Sequence, residues 1–72
     1  MLSPDEIRAL RSGKGYFTRK SILEALEAEG VKMTANTYAS KEKGKAPFTV
    51  KEIRALVKIL GITIEEGVEF FS

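Results

Sequence analysis

The chain has 72 residues, 43% hydrophobic and 31% charged, a balance that suits one small folded domain over residues 1–72 and not a disordered tail. It contains no histidine and no cysteine, which excludes a disulfide framework, a thiolate nucleophile, a zinc cluster and a Ser-His-Asp arrangement, so an enzyme is not expected. The net charge of +2 is unevenly spread: Val31 to Gly61 carries seven Lys/Arg against two Glu, whereas Ile62 to Ser72 carries three Glu and no base, and a basic middle points to a polyanionic partner.

The N-terminus, MLSPDEIRAL, does not read as a signal peptide, and no apolar run approaches the ~18 residues of a membrane span. Ser3-Pro4-Asp5-Glu6 is a capping box with proline at the first helical position, and it opens a helix over 4–12 that buries Ile7 and Leu10. SGKG at 12–15 lacks the spacing of a phosphate-binding loop and marks a helix end instead. A second helix spans 19–29 and stops at Gly30. Thr18 as N-cap places Phe17 and Ile22 for a hydrophobic staple, and it is preferred over Ser21 because it yields three full turns. Glu24, Glu27 and Glu29 form a solvated face of this helix.

Thr34 caps a third helix over 35–43. Met33 and Tyr38 occupy its staple positions, so Tyr38 turns into the core. Small and hydrogen-bonding residues are left on the other side: Ala35, Asn36, Ala39 and Ser40, with Lys43 beyond them. Such a face suits close approach, because asparagine contacts the adenine edge bidentately and Ala or Thr methyls contact the thymine methyl. Lys41, Lys43 and Lys45 lie at its end, where they reach phosphates or simply complement the helix dipole. Thr49-Val50-Lys51-Glu52 opens a fourth helix over 50–60, with Ile53, Leu56, Val57 and Leu60 on one apolar face. Thr63-Ile64-Glu65-Glu66 opens a fifth over 64–71. Adjacent Phe70 and Phe71 do not both face one core, and the exposed one either folds back over the first helix or makes a dimer contact. Tyr16, Phe17, Tyr38 and Phe48 are expected in the core rather than stacked on bases. No segment alternates long enough for a strand, so the fold class is all-α.

The string IRALRSGKGY, a Thr-capped helix, and then TYASKEKGKAPFTVKEIRALVKILGITIEE resemble the Cro/repressor-type helix-turn-helix family, also called lambda-repressor-like or XRE-type. The likeness covers nearly the whole chain. It is carried best by Lys41-Glu42-Lys43-Gly44-Lys45 and by the run from Thr49 to Glu66. The resemblance implies a compact five-helix bundle that binds double-stranded operator DNA, usually as a homodimer on a palindromic site. It implies no cofactor, metal, membrane or small-molecule ligand, and a prokaryotic or phage cytoplasm.

Carried over by position, the third helix is the recognition helix, with Ala35, Asn36, Thr37 and Ser40 facing bases. Arg19, Lys20, Lys41, Lys43 and Lys45 contact phosphates, and Arg11 and Glu42 form a structural ion pair. The span from Gly15 to Gly44 is longer than in the family, shared between an elongated second helix (EALEAEG) and a longer turn (GVKMT). A protein-interaction module on the same fold is the competing expectation, favoured by the Glu24/Glu27/Glu29 face and the low net charge.

Overall fold

All five helices begin on a side-chain hydroxyl that accepts a hydrogen bond from the backbone N–H three residues on. Ser3 accepts from Glu6, Thr18 from Ser21, Thr34 from Thr37, Thr49 from Glu52 and Thr63 from Glu66. In the computed structural model, which describes residues 1–72, these caps open α1 (Pro4–Gly13), α2 (Arg19–Ala28), α3 (Ala35–Glu42), α4 (Val50–Leu60) and α5 (Ile64–Phe71). There is no strand, and no helix is long and apolar enough to cross a membrane.

Three of the caps are closed boxes. The carboxylates of Glu6, Glu52 and Glu66 accept from the N–H of Ser3, Thr49 and Thr63 at 3.0, 2.8 and 2.9 Å. The backbone bond to Ser3 holds the Glu6 carboxyl below its ordinary range, and that to Thr63 does the same for Glu66. Ser21 is no cap; its hydroxyl donates to the Thr18 carbonyl at 2.7 Å.

The helix ends are equally local. Gly30, at φ 84°, lets the Val31 N–H reach back to the Leu26 carbonyl at 2.9 Å. Gly44, at φ 79°, does the same for Lys45 and the Ser40 carbonyl at 2.9 Å. This six-to-one bond satisfies a terminal carbonyl and turns the chain sharply away from the helix. The helix end expected within SGKG falls as Gly13, the last residue of α1, with the reversal at Gly15.

The five helices pack into a body of 23 × 23 × 22 Å around eleven buried apolar residues. Ile7 of α1, Ile22 and Leu26 of α2, Val31 of the turn, Tyr38 of α3 and four residues of α4 meet Phe48 and Phe71 there. Tyr38 meets Phe48 edge-on at 6.2 Å between centroids, and Phe48 meets Phe71 at 5.4 Å, so three aromatics tie α3, the α3–α4 loop and α5 together.

Two aromatic assignments need correction. Phe17 makes no staple and is not in the core: it is 73% exposed, because Ile22 is already enclosed and the chain enters α2 from outside. Phe71 is no dimer contact, since it is one of the buried core residues. Its neighbour Phe70 is half-buried against the core, and its carbonyl accepts the Leu2 N–H at 2.9 Å.

Candidate nucleic-acid interface

On α3 the 100° turn per residue puts Tyr38 and Glu42 on one side and Asn36, Ser40 and Lys43 on the other. Tyr38 and Glu42 are buried, whereas Ala35, Asn36, Thr37 and Lys43 are exposed and Ser40 is half-covered. Thr37 does more than face outward. Its backbone N–H bonds the Thr34 hydroxyl at 3.1 Å, and its own hydroxyl accepts from that hydroxyl at 2.9 Å, so its side chain braces the cap.

Glu42, the one carboxylate of α3, is 1% exposed and turned inward. Arg11 Nε lies 3.3 Å from one carboxylate oxygen and Arg19 Nε lies 3.6 Å from the other. The buried Arg11 also donates through Nη1 to the Tyr16 carbonyl at 2.7 Å, tying α1 to the entrance of α2. Neither Nε makes a hydrogen bond, nor does Glu42 Oε2, so the trio is held by charge rather than by hydrogen-bond geometry. Burial pushes the Tyr38 phenol well above its ordinary pKa, and the Glu42 carboxylate adds to this against the opposing arginines. Arg19 therefore has two claims on it. At 37% side-chain exposure it is half withdrawn into this trio and is not the free phosphate-seeking cation expected at the start of α2.

Lys41 leaves the phosphate set altogether. Its Nζ sits 2.6 and 2.5 Å from the two carboxylate oxygens of Glu52, with both side chains largely buried. The pair clamps the end of α3 to the start of α4, while Glu52 also closes the Thr49 cap. Burial acts against the Glu52 carboxylate, but the bonds from Lys41 and Thr49 outweigh it and hold its pKa below the usual range. A depressed carboxyl contributes stability above the unfolded-state pKa and loses it as pH falls through the folded one. Acid titration should therefore weaken the fold below about pH 4.3, the ordinary glutamate value. Glu52→Gln should flatten that limb of the stability–pH curve. An identical slope in thermal melts across the acid range would show that the clamp carries no linkage.

The free cations near α3 are Lys20, Lys32, Lys43 and Lys45, all exposed and none in an ion pair within the chain. Lys32 was not foreseen. It stands in the α2–α3 turn, which folds back so that Lys32, Lys20 and Ala35 line one groove of about 370 Å³. Nothing in VKMT by itself reveals that return. Glu24 and Glu27 border the same groove, whereas Glu29 is turned to another side and pairs with Lys58 at 3.0 Å. The connection from Glu29 to Thr34 is six residues, against the 3–4-residue turn usual between the two helices of a helix-turn-helix. The expected elongation of α2 is not found: at ten residues it is as long as α1.

No family model, no curated protein and no solved structure matches this chain.

Proposed function

We propose that the chain is a sequence-specific DNA-binding regulator of the Cro type, its five helices forming a lambda-repressor-like bundle with α2 and α3 as the helix-turn-helix pair. One observation carries this reading. The outward face of α3 bears no carboxylate, because its only one is buried and neutralised by two arginines, and unpaired lysines flank that face. A solvated surface helix has no need to hide its acid, whereas a face that meets phosphates does. Asn36 and Ser40 are the base-edge donors and acceptors of this reading, with Ala35 and Thr37 offering methyl contacts. Lys20, Lys32, Lys43 and Lys45 supply the salt-sensitive affinity, and binding at an operator acts by occlusion.

Selection from random-sequence duplexes at two salt concentrations tests it. A short enriched site is the expected outcome. On that site, Asn36→Ala should cost about 1–3 kcal/mol at one base pair only. Lys43→Ala should weaken all sequences alike and lower the salt slope by about one unit. Equal losses on all sequences for Asn36→Ala, or an unchanged slope for Lys43→Ala, would remove the respective residue from its role.

The acidic pair Glu24 and Glu27, standing in the same groove as Lys20 and Lys32, favours a second reading. A carboxylate flank beside the recognition helix repels a duplex that lies across it and suits a protein partner, an anti-repressor for instance. Absence of any duplex binding at low salt would select that reading.

A further inference from the structure

α4 shows solvent a basic flank that the α3 surface does not use. Lys51, Arg54 and Lys58 stand three and four residues apart, so they fall within about 60° of arc, with Val50 beside them at the start of the helix. All four side chains are exposed, Val50 to 70%. The buried Ala55 completes a groove of about 430 Å³ with them, and Glu29, at the end of α2, forms one rim.

The groove already holds one carboxylate. Glu29 Oε1 lies 3.0 Å from Lys58 Nζ, and this contact shows in kind what the stripe takes. Lys51 and Arg54 have no such partner in the chain. The planar fork of an arginine is filled by a carboxylate through two parallel hydrogen bonds, so Arg54 stands ready for a second acid. No acid of the chain reaches it. Glu65 and Glu69, exposed and unpaired on the outer flank of α5, are held away because α5 meets α4 at Gly67, against Val57 and Ile53 on another side of α4.

We propose that this groove docks an acidic amphipathic helix of a different protein, which lays carboxylates against Lys51 and Arg54 and an apolar side chain against Val50 and Ala55. The spacing favours helix on helix. At 1.5 Å per residue the three cations rise by about 4.5 and 6 Å along α4, and carboxylates three or four residues apart on a partner helix repeat those rises whichever way it runs. The apolar anchor supplies affinity and the charges fix the register. A phosphate backbone satisfies the cations, but it brings no apolar side chain to Val50 and Ala55 and meets the Glu29 carboxylate on the rim.

This groove is separate from the one beside α3. Glu29 follows Lys20 by nine residues, a rotation of about 180° around α2, so the two grooves lie on opposite sides of that helix. The inference does not rest on DNA binding, and a partner seated on α4 leaves the α3 face open.

Backbone-amide NMR shifts of the whole chain test it. The probe is a synthetic helical peptide with glutamates three and four residues apart along one side and leucines beside them. Shifts should gather at Glu29, Val50, Lys51, Arg54, Ala55 and Lys58 and leave α3 untouched, and affinity should fall as salt is raised. K51E/R54E should bind the peptide at least about tenfold more weakly, and should regain binding when lysines replace the peptide's glutamates. Val50→Ser should weaken binding severalfold without changing its salt dependence. All three positions are exposed, so the variants should melt near the wild type. Absence of shifts at these residues at about 1 mM peptide overturns the proposal. A scrambled peptide of the same composition that binds equally well also overturns it, since charge alone then suffices. A random-sequence duplex that shifts the same amides and displaces the peptide would make the stripe a phosphate surface. Concentration-dependent shifts at Lys51 and Glu65 without peptide would make a second copy the occupant. Either result overturns the proposal.

Discussion

Replacing Glu42 by alanine should lower the unfolding free energy by about 3–5 kcal/mol, the cost of leaving a buried charge without its partner. Arg11 is the charge in question. It is buried, its one hydrogen bond goes to the Tyr16 carbonyl, and Glu42 is the only carboxylate near its Nε. Arg19 is half-exposed and escapes to water, so its share of the loss is small. At ~4–8 °C per kcal/mol for a domain of this size, the melting temperature should fall by more than about 10 °C. The double variant Arg11→Met with Glu42→Leu should recover most of that loss, because removing both charges also removes their desolvation cost. A thermal melt of Glu42→Ala that overlays the wild type would mean that water already reaches Arg11. Recovery in the double variant separates the ion pair from the packing of α3, which both variants disturb.

Phe71→Ala should cost a similar ~3–5 kcal/mol, the usual range for a fully buried aromatic. Phe71 is enclosed and edges onto Phe48, which in turn edges onto Tyr38, so its loss opens a cavity under the whole aromatic column. A chain of this length has roughly 4–11 kcal/mol of stability in all, so the variant sits at the margin of folding. The decisive feature is independence from concentration. A core residue lowers the melting temperature equally in dilute and concentrated protein, whereas a dimer contact loses its effect on dilution. Chemical denaturation at two protein concentrations reads the difference, and a concentration-dependent midpoint shift would return Phe71 to an interface.

These two residues also mark where reading the chain alone runs out. The starts and stops of the helices are legible because their physics spans three to five residues. The capping boxes at Ser3, Thr49 and Thr63 close within one turn, and the reversals at Gly30 and Gly44 use bonds that reach back five residues. The apolar face of α4 is legible for the same reason: Ile53, Leu56 and Leu60 are buried as their spacing requires. Which way α3 turns follows from Tyr38 at its staple position.

Apart from the Arg11–Glu42 pair, which the resemblance implies and the structure brings together, the fate of the charges was not legible. Lys41 reads as a free cation at a helix end until α4 folds across and brings Glu52, eleven residues on, against it. Arg19 reads as a free cation until α3 delivers Glu42 beside it. Phe17 and Phe71 have the same composition and opposite burial, because enclosure depends on which neighbours arrive from elsewhere in the chain. Local sequence by itself thus determined five helices, their ends to within one residue and the inward side of α1, α3 and α4, since short-range hydrogen bonds and helical periodicity decide those. Only the tertiary structure decided which cations stay free, that Arg19 joins Arg11 at the buried acid of α3, and that the basic flank of α4 and the acidic flank of α5 both remain open. Charge pairing over long sequence separations is a property of packing.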